Sequence, residues 1–170
     1  MSKAIRIILW LILLVGGAWY SISKDLDNPL FNSIWFHLVT LVLGLVVTKL
    51  AFNAAGAGGR ELAKRGRVGD IPRLETNKLV TSGIYSCLRH PMLFGLTLLP
   101  LGLALIIGSP TFITIVAPLE MLFIIFMVAV FEEMEIYKKF GDDYLEYKSK
   151  VPMVSFKKDC LKKLFLKSKE

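Results

Sequence analysis

Residues 91–131 carry a single ionisable side chain, Glu120, in a run of 41 residues. A hydrocarbon layer about 30 Å thick is crossed by roughly 20 apolar residues in a helix, so this stretch is long enough to cross twice. Gly108-Ser-Pro110 divides it and can only be a tight reversal. Spans 91–107 and 111–131 are therefore adjacent and antiparallel. A water-soluble domain would mix its residue classes more evenly than this chain does, with 54% hydrophobic residues and its charges gathered in separate blocks. The mean hydropathy of +0.57 agrees.

Two further apolar runs precede this hairpin. Residues 5–22 have Lys3 and Arg6 at one end and Trp19-Tyr20 at the other, the anchors expected at the two interfaces. This run has the length of a signal peptide, but no small-x-small cleavage site follows cleanly and a second span begins at once. Lys24-Asp-Leu-Asp-Asn-Pro29 is a polar turn, and the second span covers about 30–54, with His37 packing or hydrogen-bonding near an interface. The expected fold is an all-α integral membrane protein, a bundle of four transmembrane helices with a cytoplasmic C-terminal helical segment. Residues 1–156 form the membrane domain and 157–170 a basic tail.

The charges set the orientation. The net charge is +7, but the cations flank the apolar runs, which points to anionic lipid headgroups as partners and away from nucleic acid. Segment 60–89 holds seven Lys or Arg and the chain after Phe131 holds ten, whereas the Lys24 turn has one and the Gly108 turn none. Both termini are then cytoplasmic, in the plasma membrane of a prokaryote or the endoplasmic reticulum of a eukaryote. Ala55-Gly-Ala-Gly-Gly59 reads as a flexible or closely packed helix end, and 60–67, with four cations against one acid, as a basic segment lying on an anionic surface. The glycines lack the GKS/T of a phosphate loop. Cys87 and Cys160 have neither zinc-like nor CxxC spacing; they imply no disulfide framework and read as buried or interfacial thiols, with no metal site. Cys160 is also too far from the end to be a prenylation box.

Two polar stretches at the cytoplasmic ends of the spans hold the candidate chemistry. In the first, Pro91 fits the first turn of a helix, because its missing N–H has no intrahelical partner there. It pushes His90 towards an extended backbone. Arg89 and His90 thus lie where water meets lipid, well placed to bind something charged. In the second, Glu132 and Glu133 end the last span. Ile136 and Phe140 share a face with Glu132 at steps of four, Gly141 suits a helix C′ position, and Asp143 with Glu146 starts a further helix as a capping box. Tyr144 and Tyr147 present a common aromatic face. Together the stretches describe a pocket for a ligand that carries both a carboxylate and an ammonium, with rings for a flat base or a sulfonium. Glu120, inside a span, costs roughly 2.5 to 3.5 kcal/mol if ionised, so it is expected neutral or turned towards a polar cavity or partner.

The segment 79–95, with Gly83-Ile-Tyr85, Arg89-His-Pro-Met92 and Gly95, resembles the central motif of the isoprenylcysteine carboxyl methyltransferase family. Glu132-Glu133, Ile136, Phe140-Gly141, Tyr144, Tyr147 and Val151-Pro152 resemble that family's C-terminal signature. The family is related to the phospholipid methyltransferases. The resemblance implies a methyltransferase dependent on S-adenosylmethionine, with a lipidic or prenylated substrate entering from the bilayer. It implies Tyr85, His90, Glu132 and Glu133 as cofactor contacts and Arg89 as the catalytic residue, serving the cofactor or orienting a substrate carboxylate. Tyr144, Tyr147 and Glu120 are the pocket candidates. Carboxyl O-methylation of an isoprenylcysteine-type substrate is favoured, N-methylation of a phospholipid or other lipid amine is the alternative, and a non-catalytic membrane scaffold with a basic tail is a third reading.

Overall fold

The computed structural model describes residues 3–72 and 75–165; Lys167 and Lys169 of the expected basic tail lie outside the described residues. All regular structure among them is helical. Helix α1 covers Lys3–Asp25, α2 Ile34–Arg65, α3 Pro91–Thr97, α4 Leu99–Ile107, α5 Ala117–Met127, α6 Glu133–Lys150 and α7 Lys158–Phe165. One wide π-turn, Phe112–Val116, leads into α5 and a second, Val128–Glu132, joins α5 to α6, giving one helical run of 39 residues, Phe112–Lys150. Three helices are long and apolar enough to cross a membrane: Ile5–Asp25, Ile34–Arg65 and Phe112–Lys150. The fourth expected span, Pro91–Ile107, is shorter and is interrupted at Leu98, two residues before Pro100, which has no N–H to give to the preceding turn.

The chain divides into two compact units, Met1–Lys49 with Thr97–Phe126, and Leu50–Leu96 with Met127–Glu170. In the first unit, α1 ends at Asp25, whose buried carboxylate receives the Thr111 N–H at 2.9 Å, the Thr111 hydroxyl at 2.6 Å and the Ser109 hydroxyl. Ser109 Oγ accepts the Phe112 N–H at 3.1 Å, so two side chains cap the start of the long helix. Gly108 makes the expected reversal at φ 71°, in the left-handed region. A side chain there would also strike the His37 ring, whose Nε2 donates to the Phe31 carbonyl at 2.5 Å. Ala104, Phe112 and Ala117 are fully buried, with Leu14 and Ala18 of α1 against them. The first π-turn falls just before Pro118, where the helix lacks a backbone donor in any case.

In the second unit, α2 runs on well past Ala54, through the glycines to Arg65. Of the two readings of the glycines, flexible or closely packed, the second holds. A Cβ on Gly58 would lie 2.6 Å from the Met92 nitrogen, and one on Gly95 would lie 2.5 Å from the Ala55 nitrogen, so α2 and α3 touch backbone to backbone. The expectation of a surface-lying segment over 60–67 gives way, over its first six residues, to the last turns of this helix. Cys87 and Cys160 form a disulfide across 73 residues, which corrects the expectation of separate thiols. Their spacing carries no signal, because they meet only once α7 docks. Cys160 and Leu164 of α7 are buried with Ile84, Tyr85 and Leu88; Phe165 packs on Phe94 and takes a hydrogen bond on its carbonyl from Asn53 at 2.9 Å. The apolar side of α7 therefore covers its own protein.

Candidate functional site: a buried carboxylate among three donors

Loop 66–82 brings the central motif into place. The Asn77 side chain accepts the Val68 N–H at 2.8 Å and donates to its carbonyl at 2.7 Å, clamping the loop on itself. Gly83 turns the chain at φ 64° into a short 3₁₀ turn, Gly83–Ser86, that carries Tyr85. The backbone is irregular from Leu88 to His90, and α3 begins at Pro91. The Arg89 N–H donates to the Pro152 carbonyl at 3.1 Å and the Tyr147 hydroxyl to the Tyr85 carbonyl at 2.6 Å. Those two bonds tie the central motif to the C-terminal one.

Where the motifs meet, the Glu133 carboxylate is surrounded. Arg89 gives Nε at 2.8 Å and Nη2 at 2.7 Å to its Oε1, His90 Nε2 donates to the same oxygen at 3.1 Å, and Lys148 Nζ lies 2.5 Å from Oε2. Arg89 Nη1 donates to the Val151 carbonyl at 2.6 Å. The side chains of Arg89, His90 and Glu133 are 10%, 6% and 7% exposed, so these charges act with little water between them. Burial lowers the His90 pKa against the opposing pull of Glu133, which keeps the ring neutral with its proton on Nε2. Two cations then face one carboxylate, and the cluster carries one net positive charge.

Tyr144 and Tyr147 lie beside it, ring centroids 6.2 Å apart. The Tyr144 hydroxyl is close enough to Glu133 and Arg89 to feel both charges, yet it is buried and makes no hydrogen bond of proper geometry. Burial, with the nearby Tyr147 and Glu61, raises the Tyr85 pKa, so this phenol stays protonated.

The structure thus brings Arg89, His90, Glu133, Tyr144 and Tyr147 together, with Tyr85 joined to Tyr147. Glu132 is half-buried, and the carboxylate that receives Arg89, His90 and Lys148 is that of Glu133. Glu132, Ile136 and Phe140, the face read in steps of four, are all half-buried, and the buried acid is Glu133 one position on. Gly141, at φ 54° and ψ −130°, breaks the helical backbone of α6 where the sequence places a helix end, and the helix that resumes after it brings Tyr144 and Lys148 against Glu133. Glu120 belongs to the first unit, where its carboxylate lies against Gly17 of α1, 8% exposed, both oxygens without a hydrogen-bond partner among the described residues. Sequence reasoning missed Lys148, whose only signal is its spacing of four from Tyr144, and the backbone acceptor at Val151.

An all-helical protein of membrane-spanning character, with an ion cluster at the junction of two polar motifs, is the class that fold and site define. Residues 33–143 match the phospholipid methyltransferase family, and the chain belongs to that family. It is 31% identical over 118 residues to protein-S-isoprenylcysteine O-methyltransferase B of Arabidopsis thaliana, which covers 69% of this chain and 56% of the relative. With protein-S-isoprenylcysteine O-methyltransferase of Xenopus laevis it shares 29% over 136 residues, 78% of this chain and 45% of the relative. A probable protein-S-isoprenylcysteine O-methyltransferase of Oryza sativa subsp. indica is 29% identical over 135 residues, 76% and 66% of the two chains. The chain spans about half the length of the first two relatives. The resemblance carried by the two sequence motifs is borne out. No solved structure matches the chain.

Proposed function

We propose that the chain is an S-adenosylmethionine-dependent methyltransferase of membrane-embedded substrates, favouring carboxyl O-methylation of an isoprenylcysteine-type acceptor. The observation that carries this reading is that the two motifs matching the family meet at Glu133, in a cluster with an unbalanced positive charge. Such a cluster fits the carboxylate of a methyl donor's amino-acid end or of an acceptor, and the Tyr144 hydroxyl beside Glu133 and Arg89 adds a polar group to it. Tyr144 and Tyr147 supply ring faces for the rest.

S-Adenosylmethionine supplies a methyl group on sulfonium sulfur. The residues here bind and orient. Arg89 is held by Glu133 and Val151, so its remaining donor capacity points in a set direction, and Lys148 adds a flexible second cation. An acceptor carboxylate is already a nucleophile, so no general base is required, and alignment with exclusion of water carries the rate. The second reading, N-methylation of a lipid amine, draws on the family's description as phospholipid methyltransferase. It needs a proton acceptor, and His90, with its proton on Nε2, has its lone pair on Nδ1. Under this proposal Pro91–Ile107 is the fourth span, both termini are cytoplasmic and anionic headgroups surround the basic end of α2.

Calorimetric titration of S-adenosylmethionine into the detergent-solubilised full chain tests the reading, with Tyr144→Phe alongside. Micromolar binding by wild type is expected, weakened roughly 5- to 10-fold in the variant by loss of one hydrogen bond. Absence of binding by folded wild type overturns the reading. Transfer of labelled methyl to N-acetyl-farnesylcysteine or to phosphatidylethanolamine then decides between the two acceptors.

A further inference from the structure

Cys87 and Cys160 are the two cysteines of the chain, and their bond ties α7 to the segment that carries the site. Cys87 lies two residues before Arg89 and three before His90. Around the bond, Ile84, Tyr85 and Leu88 of the central motif are buried with Leu164 of α7, and Phe165 packs on Phe94. The same motif holds the Tyr85 carbonyl that accepts from Tyr147 and the Arg89 N–H that donates to Pro152. What fixes α7 therefore also fixes the backbone that aims Arg89 and His90 at Glu133.

α7 depends on that attachment. Its eight residues are too few for a helix that persists alone in water. Besides the disulfide, it is held by Leu164, by Phe165 on Phe94 and by the Asn53 side chain on the Phe165 carbonyl at 2.9 Å, while Lys158, Lys162 and Lys163 face water. The charge pattern puts residues 60–89 and the chain after Phe131 on one side of the membrane, the cytoplasmic side under the proposed topology. Thiols there are kept reduced, and a disulfide that does form is as a rule a redox-sensing one. Both cysteines are 8% exposed, yet Ser86 and Asp159, next to them in the chain, are exposed, so a small opening of α7 gives a reductant access.

We propose that Cys87 and Cys160 form a reversible redox modification site, closed in this structure, which latches α7 onto the central motif and so holds the Glu133 cluster in its binding geometry. The inference rests on the proposed function for the side of the membrane and for the ligand. The reductant is a dithiol. One of its sulfurs, as thiolate, attacks one sulfur of the pair and displaces the other, which takes up a proton; its second sulfur then displaces the remaining protein sulfur from the mixed disulfide. Two electrons and two protons pass to Cys87 and Cys160, and the reductant leaves as a disulfide.

The test uses the full chain in detergent, with dithiothreitol as the dithiol, diamide as the oxidant and maleimide labelling to count free thiols. Two readouts are followed, trypsin cleavage after Lys162 and Lys163 and equilibrium binding of S-adenosylhomocysteine. Reduction is expected to speed the cleavage roughly 10- to 100-fold and to weaken S-adenosylhomocysteine about 5-fold or more, both reversed by reoxidation. Cys160→Ser is expected to match reduced wild type in both readouts and to ignore dithiothreitol. Reversal in wild type separates the effect from misfolding of the variant. A pair that stays closed in excess dithiothreitol or open in excess diamide, or cleavage that reduction leaves unchanged, overturns the latch. Faster cleavage with constant S-adenosylhomocysteine binding overturns its control of the site. Wild type that binds no S-adenosylhomocysteine in either state overturns the methyltransferase reading and that control with it, and cleavage still decides the latch.

Discussion

Asp25 and Glu133 are both buried carboxylates at helix junctions, one in each unit, and their surroundings differ in kind. Asp25 is held by two hydroxyls and a backbone N–H, all neutral, and sits at the start of the long helix, where four N–H groups lack intrahelical partners. Glu133 is held by a guanidinium, an imidazole and an ammonium, more positive charge than one carboxylate balances. The first arrangement completes the fold. The second leaves a charge for something else to balance, and unbalanced charge in a low-dielectric setting is a usual mark of a binding site.

The comparison can be broken most forcefully at Glu133. Glu133→Gln leaves Arg89, nine-tenths buried, without its counter-charge, and a broken buried pair costs about 3 to 5 kcal/mol. The lower half of that range is expected, since Lys148 is 46% exposed and keeps much of its hydration. Thermal unfolding in detergent should show a clear fall in Tm, and an unchanged Tm would mean that Arg89 finds other acceptors. Asp25→Asn tests the neutral counterpart. The amide keeps one acceptor and loses the charge, so about 1 to 2 kcal/mol of stability is expected to go, with binding of S-adenosylmethionine untouched. A loss of binding equal to that in Glu133→Gln would erase the distinction between the two carboxylates.

The smallest effect is in pH. The His90 pKa is lowered in the folded chain by burial, so between that value and the unfolded value near 6.5 the unfolded chain holds more protons. Stability contributed by neutral His90 is fully present above about pH 6.5 and is lost as pH falls below it, at most about 1.4 kcal/mol per pH unit. Denaturation from pH 8 to 5 should show this slope in wild type and a flatter one in His90→Gln. Equal slopes would place the titration elsewhere.

Much of this was legible in advance because it is local. A 41-residue run with one charge selects hydrocarbon or a core, Gly108 marks a reversal through its own φ, and Pro91 starts a helix by what its nitrogen lacks. The pairing of the two polar motifs was legible from the charge-set orientation, which puts both at the same ends of the spans, and from the resemblance, but not from spacing, since none links Arg89 to a residue 44 positions on. Glu132 and Glu133 were legible only as a pair, because which of two adjacent acids receives Arg89, His90 and Lys148 depends on how α6 is turned against the central motif. Glu61 is the lone acid of a basic stretch in the sequence, and its contact with Gly83 exists only in the fold.

The sequence by itself determined the helical, membrane-seeking character of the chain, the reversals between its apolar runs and the residue types available for chemistry, all of which follow from near-neighbour sterics and from the cost of placing charge in hydrocarbon. Only the tertiary structure decided which groups meet: Cys87 with Cys160, Asp25 with the Ser109–Thr111 turn, Glu61 with Gly83, and Arg89, His90 and Lys148 around one carboxylate. The reason is physical. Burial and the pairing of charges depend on separation in space, and once α2, α3 and α6 fold past one another that separation bears no fixed relation to distance along the chain.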